Sequence, residues 1–119
     1  DQVGCPTATH HLAVACWRLI SFVTEGRSVP SILHWSDAGA ASWYDFAIAI
    51  GELGVRCGLL SKAALVQPVN TSEYRSDACR PSYSLLETSL TRKILDLEAV
   101  YWRKALVDVL AKVVQSQKM

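Results

Sequence analysis

Trp102, Ala105, Leu106, Val109, Leu110 and Val113 follow one another at intervals of 3, 1, 3, 1 and 3 residues. That spacing gathers apolar side chains on one face of an α-helix, whereas a strand would need alternation with a period of two. A chain with this stripe must fold so that a long amphipathic helix finds an apolar partner. Two more segments share the period. Leu12, Ala13, Cys16, Leu19, Ile20 and Val23 form a face that Thr7 or Thr9 can cap and Gly26 can end. The remaining helix opens at Ser42, whose hydroxyl caps the backbone while Asp45, three residues on, reaches back. Its predicted buried stripe is Trp43, Phe46, Ala47, Ile50 and Leu53, with Gly54 and Gly58 ending or loosening it.

Strand signals are short. Asp1 to Thr7 is extended and turns at Gly4 and Pro6. Ser31 to Trp35 follows Pro30 and reads as a strand, and Leu65 to Val69 reads as another that Pro68 confines to an edge. Residues 70–88 show no period and are predicted to form a long irregular loop, a kind of segment that is often functional. About three main helices with a few short strands predict an α+β fold. No repeat or linker divides the chain, so residues 1–119 are expected to form one domain.

Charge excludes several functions. Twelve basic against eleven acidic side chains leave a net charge of +1, which gives nucleic acid or an anionic membrane nothing to bind. No uncharged apolar run reaches the ~20 residues that a membrane span needs. The start at Asp1 has no basic segment before an apolar core, so it does not read as a signal peptide. Either the chain was processed or it is a piece of something longer. Cys5, Cys16, Cys57 and Cys79 are spaced by 11, 41 and 22 residues without a CxxC pair, which gives no support to a zinc site. Reduced structural thiols and a cytoplasmic location are expected. The sequon Asn70-Thr71-Ser72 carries no meaning there.

Reaction chemistry is missing from the sequence. Gly51-Glu52-Leu53-Gly54 lies late in a helical pattern, not at the strand-to-helix turn that a dinucleotide requires. There is no P-loop, HExxH or GxSxG. Four residues after each tyrosine stand Ile48, Ala78, Glu87 and Ala105, so no Tyr-x-x-x-Lys dyad occurs. No catalytic residue and no metal ligand is therefore assigned. His10 and His11 are adjacent, point about 100° apart on a helix and are expected to be solvated. His34 reads as a core or edge residue, and Trp17, Trp35, Trp43 and Trp102 as structural.

Taken in order, four segments resemble one known family. Asp1-Gln2-Val3-Gly4-Cys5-Pro6-Thr7 with Leu12-Ala13 is similar to the family segment DQxGxPTxxxxLA. His34 to Ala47, which ends in Ser-Trp-Tyr-Asp-Phe-Ala, resembles its most specific segment. Arg80-Pro81-Ser82-Tyr83-Ser84-Leu85 is similar to its RPxxSxLD segment, and Trp102-Arg103 opens a helix like its terminal one. On these residues nearly the whole chain resembles the C-terminal substrate-binding domain of the dTDP-4-dehydrorhamnose reductases, which are extended short-chain dehydrogenase/reductases. Two features depart from the pattern. Glu87 stands where Asp is frequent, and the segment before Trp102 is shorter and lacks the usual proline.

The resemblance implies a small substrate-binding lobe of a reductase that makes dTDP-L-rhamnose. A hydride would pass from NAD(P)H to the C4 ketone of dTDP-4-dehydro-L-rhamnose while a tyrosine supplies the proton. Cofactor site and catalytic set would lie upstream of Asp1, so this chain is expected to hold no cofactor and to be inactive alone. Its implied partners are the dTDP-sugar, an N-terminal Rossmann domain and further copies of itself in a homo-oligomer. Arg80 is the expected clamp for the diphosphate, because a guanidinium meets phosphate oxygens bidentately; its plainer reading is a surface ion pair. Ser82, Tyr83 and Ser84 share that loop and can hydrogen-bond sugar or phosphate. Gln2 can touch substrate through its amide or tie down the turn from Gly4 to Thr7. An alternative function is a non-catalytic, reductase-like regulatory or interaction subunit, as in the methionine adenosyltransferase β-subunit.

Overall fold

The computed structural model describes residues 1–74 and 76–117. Among these are four α-helices and a minimal two-stranded sheet. The order is β1 (Val3–Gly4), α1 (Thr9–Thr24), β2 (Ala41–Ser42), α2 (Trp43–Arg56), a 3-10 turn (Thr71–Glu73), α3 (Ser89–Leu95) and α4 (Trp102–Ser116). The α+β class expected from the sequence is what the chain adopts. None of the described helices is long and apolar enough to cross a membrane.

β1 and β2 pair antiparallel, with Val3 opposite Ser42 and Gly4 opposite Ala41. On its other side Val3 takes the irregular loop as a third line of backbone. The Val3 N–H donates to the Ser82 carbonyl at 2.8 Å, and the Ser84 N–H donates to the Val3 carbonyl at 2.9 Å. Three chain segments far apart in sequence therefore meet at Val3.

Two apolar clusters hold the helices. Ala41, Ala49, Leu53, Trp102 and Leu106 join α2 to α4, with Cys5, Phe46 and Leu110 packed against them. Ala15, Phe22 and Leu95 join α1 to α3, with Leu19 and Trp35 beside them. Burying a side chain such as Leu106 or Leu95 contributes about 2 kcal/mol.

α2 begins as its sequence dictates. The Ser42 hydroxyl accepts the Asp45 N–H at 3.0 Å, and Asp45 Oδ2 accepts the Ser42 N–H at 2.9 Å. Gly26 and Gly58, both at positive φ, follow the ends of α1 and α2. Gly54 stays inside α2, where it lets Leu60 pack close.

The start of α1 differs from expectation. Neither Thr7 nor Thr9 caps it. The buried carboxylate of Asp37 accepts the Ala8 N–H at 2.9 Å and lies 2.8 Å from His11 Nδ1. His11 is accordingly not solvated, and its Nδ1 is not available to share an ion with His10.

The strands expected at Ser31 to Trp35 and, on an edge, at Leu65 to Val69 do not form. Ser31 to Trp35 is irregular, and the His34 N–H, which a ladder would use, goes to the Thr91 hydroxyl at 3.1 Å. Leu65 to Val69 is also irregular, with Leu65 91% exposed and Pro68 unable to donate. α3 was not expected: its seven residues are too few to show a period, and it ends at Asp96 in the left-handed conformation. Trp43 and Ile50 lie on the outer side of α2, and the buried positions are Ala49, Leu53 and Gly54. Trp17 and His34 are exposed too. All four cysteines are free thiols; Cys16, Cys57 and Cys79 are exposed. Burial and the nearby Asp37 raise the pKa of the Cys5 thiol, which donates to the Asp37 carbonyl.

Candidate functional site

β2 runs straight into α2, so the first helical residue, Trp43, is thrown outward at the point where β1 and β2 pair. Its indole is 61% exposed. The Arg80 guanidinium stands over it, 5.8 Å from the ring centroid. The Arg80 side chain arrives from the irregular loop, whose backbone is pinned to Val3 immediately downstream at Ser82 and Ser84.

Two clefts meet here. The smaller, of about 380 Å³, runs along β1 and is lined by Pro6, Phe46, Pro81 and Ser84 among others. The larger, of about 1100 Å³, opens between the start of α2 and the loop from Val66 to Arg80, with Tyr44 and Tyr74 on its walls. Gln2, Ser42, Trp43 and Arg80 line both. These four residues form the ridge along which a bound molecule would pass from one cleft to the other.

The electrostatics at that ridge are simple. The ion pairs among the described residues are His11–Asp37, Arg92–Glu98 and Arg103–Glu52, and Arg80 belongs to none of them. An unneutralised guanidinium beside a flat indole face can meet an anionic oxygen and stack a ring at the same time. Asp45 in the same first turn of α2 is held below the ordinary carboxylate range by hydrogen bonds from Ser42, so its charge is already committed to the helix cap.

The residues expected from the sequence separate into two groups. Arg80, Gln2 and Ser84 line the clefts. Ser82 and Tyr83 line neither; their segment bridges to Val3 through backbone, and the Tyr83 ring is 69% exposed. Ser84 Oγ turns back onto the Val3 carbonyl at 3.1 Å. The Gln2 amide does not tie down the turn after Gly4; it donates to Thr71 Oγ1 at 3.1 Å. Trp43 is the site residue that sequence reasoning assigned to the core. The signal was available: a tryptophan at the first position of a capped helix has no preceding turn to cover it.

Among the described residues no cluster of histidine, cysteine or carboxylate side chains is arranged to hold a metal ion. Neither cleft has the glycine-rich turn into a helix N-terminus on which a dinucleotide pyrophosphate sits. The described residues thus offer a guanidinium and a flat ring face to a ligand with an anionic group and a ring.

The family model of the RmlD substrate binding domain matches residues 1–115. The chain belongs to that family. Over 112 residues it is 30% identical to a dTDP-4-dehydrorhamnose reductase of Aggregatibacter actinomycetemcomitans, covering 93% of this chain and 38% of that protein. Over 111 residues it is 37% identical to the spore coat polysaccharide biosynthesis protein SpsK of Bacillus subtilis, covering 92% of this chain and 34% of that one. The crystal structure of a dTDP-4-dehydrorhamnose reductase from Bacillus anthracis in complex with NADP superposes with a TM-score of 0.76 at 28% identity, covering 94% of this chain and 36% of that chain. The chain spans between a third and two-fifths of the length of these curated relatives. Within the RmlD domain, the ridge draws on three of the segments quoted from the sequence: Gln2 from the first, Ser42 and Trp43 from the second, Arg80 from the third.

Proposed function

We propose that this chain is the nucleotide-sugar-binding lobe of a dTDP-4-dehydrorhamnose reductase, acting on dTDP-4-dehydro-L-rhamnose to give dTDP-L-rhamnose. The observation that carries this reading is the Arg80 guanidinium poised over the Trp43 indole where two clefts join. A diphosphate is the part of such a substrate that a guanidinium recognises, and flanking clefts leave room for a nucleoside on one side and a sugar on the other. The names of the reductase relatives support the same substrate.

In this reading NAD(P)H is held by a Rossmann domain outside these residues and supplies the hydride. The lobe binds the nucleotide-sugar and orients its keto carbon, the positioning share of catalysis. The outer face of α1 supports such a partner domain. Leu12, Val14, Trp17, Ile20 and Val23 are exposed on it. The one charged side chain of α1, Arg18, turns inward to the Leu95 carbonyl. A helix face of that size without a charge is a docking surface. Self-association through it and a cytoplasmic location belong to the same proposal.

Thermal unfolding of the chain with and without millimolar dTDP, beside an Arg80→Ala variant, tests the reading. A ligand at a hundred times its dissociation constant adds about 2.7 kcal/mol to the native state. Stabilisation in the wild type that vanishes in the variant supports a lobe clamped through Arg80. Equal stabilisation by dTDP and UDP would remove the base preference, and no stabilisation by either would favour an interaction subunit that docks through α1.

A further inference from the structure

Among the described residues, the loop that walls the larger cleft is hydrogen-bonded to the rest of the molecule at a single residue. Every described residue from Gln67 to Arg80 is exposed. Within Val66–Arg80, the hydrogen bonds that leave the segment, among the described residues, all converge on Thr71. Its hydroxyl donates to Asp1 Oδ1 at 2.6 Å and accepts from Gln2 Nε2 at 3.1 Å. Its N–H donates to the two Asp1 oxygens at 3.0 and 3.1 Å. The other bonds of the segment stay inside it, such as Asn70 N–H to Glu73 Oε2 at 2.8 Å and the Ser76–Ala78 pair.

From this we infer that Thr71 is a positioning residue: it latches the loop onto Asp1 and Gln2 and so sets the shape of the larger cleft. The inference rests on the proposed nucleotide-sugar site. A hydroxyl is required because it must donate to a carboxylate and accept from an amide at once, which no apolar isostere can do. The bonds to Asp1 are charge-assisted and therefore stronger than neutral ones. With every described residue from Gln67 to Arg80 exposed, the loop opens locally at low cost once the two hydroxyl bonds are gone. A ligand that needs the closed wall then binds in proportion to the fraction of molecules that hold it closed.

The test compares wild type, Thr71→Val and Thr71→Ser, using hydrogen exchange of residues 66–80 without ligand and titration with dTDP. Thr71→Val should speed exchange across the loop and leave α2 and α4 unchanged. Its dTDP dissociation constant should rise about tenfold, the effect of losing one hydrogen bond to a charged group. Thr71→Ser, which keeps the hydroxyl, should restore both. Unchanged exchange in Thr71→Val overturns the latch, and faster exchange with unchanged dTDP affinity overturns its role in positioning. Failure of the wild type to bind dTDP would instead strike the proposed function, and the exchange arm alone would then judge the latch.

Discussion

Asp37 and His11 form a pair that spans 26 residues of sequence, with Oδ1 of one lying 2.8 Å from Nδ1 of the other. The Asp37 side chain is completely buried, and its second oxygen accepts the Ala8 N–H at 2.9 Å. The carboxylate thereby replaces the missing local cap of α1. Asp37→Ala leaves an amide and an imidazole without their acceptor and is expected to destabilise the chain by roughly 3 kcal/mol. Urea unfolding measures it; a loss under 1 kcal/mol would mean that water replaces the carboxylate freely.

Trp43 should be dispensable for folding and important for binding. With its ring mostly in solvent, Trp43→Ala is expected to change stability by less than about 0.5 kcal/mol. If the indole stacks a base or sugar, the same substitution should weaken dTDP by roughly 1–3 kcal/mol, with Trp43→Phe retaining part of it. Calorimetric titration of the three proteins decides, and equal affinities would place the ring of the ligand elsewhere.

Gly39 has φ of 99°, and a Cβ there would lie 2.6 Å from Tyr101 Cε2 and 2.9 Å from Trp102 Cδ1. Backbone strain and overpacking then act together, so Gly39→Ala should cost at least about 2 kcal/mol. It should also disturb the Ala38–Tyr101 bridge that brings α4 onto the core. A melting temperature equal to that of the wild type would contradict both effects.

The start of α2 should respond to acid. Hydrogen bonds from the Ser42 hydroxyl and N–H lower the pKa of Asp45. A carboxyl whose folded pKa lies below its unfolded value contributes stability above the unfolded pKa and loses it as pH falls through the folded one. Below that point the cap should open and the first turn of α2, which presents Trp43, should fray. Titration of Asp45 by NMR should give a midpoint below the ordinary 3.8. Ser42→Ala should move it upward, and an unmoved midpoint would refute the cap as its cause.

What the sequence showed and hid has physical causes. α2 and α4 were legible because period and cap are local: Ser42 and Asp45 sit three residues apart, and the stripe from Trp102 repeats within one helix. The cap of α1 was not, since its carboxylate comes from a loop 29 residues away. Ser31 to Trp35 and Leu65 to Val69 have strand-forming side chains, but a strand also needs a neighbour with free backbone, which composition does not reveal. At the site, Arg80, Gln2 and Ser84 could be named because a family segment carries each of them. Trp43 was hidden by its helical spacing, which is the same for an inward and an outward first turn. Thr71 showed nothing in sequence, because its meaning depends on Asp1 and Gln2 lying beside it in space.

The meeting of three backbone segments at Val3 also governs the order in which the molecule can be built. Ser84 lies 81 residues beyond its partner Val3, so that pairing closes the longest loop among the described hydrogen bonds and comes late for entropic reasons. On a ribosome, α1 and α2 emerge long before Ser82 and Ser84, and β1 must wait beside them with one edge open. A chain stopped after α2 would hold Trp43 with no Arg80 to stand over it. The ridge of Trp43 and Arg80 is therefore completed only after α1 and α2 already exist.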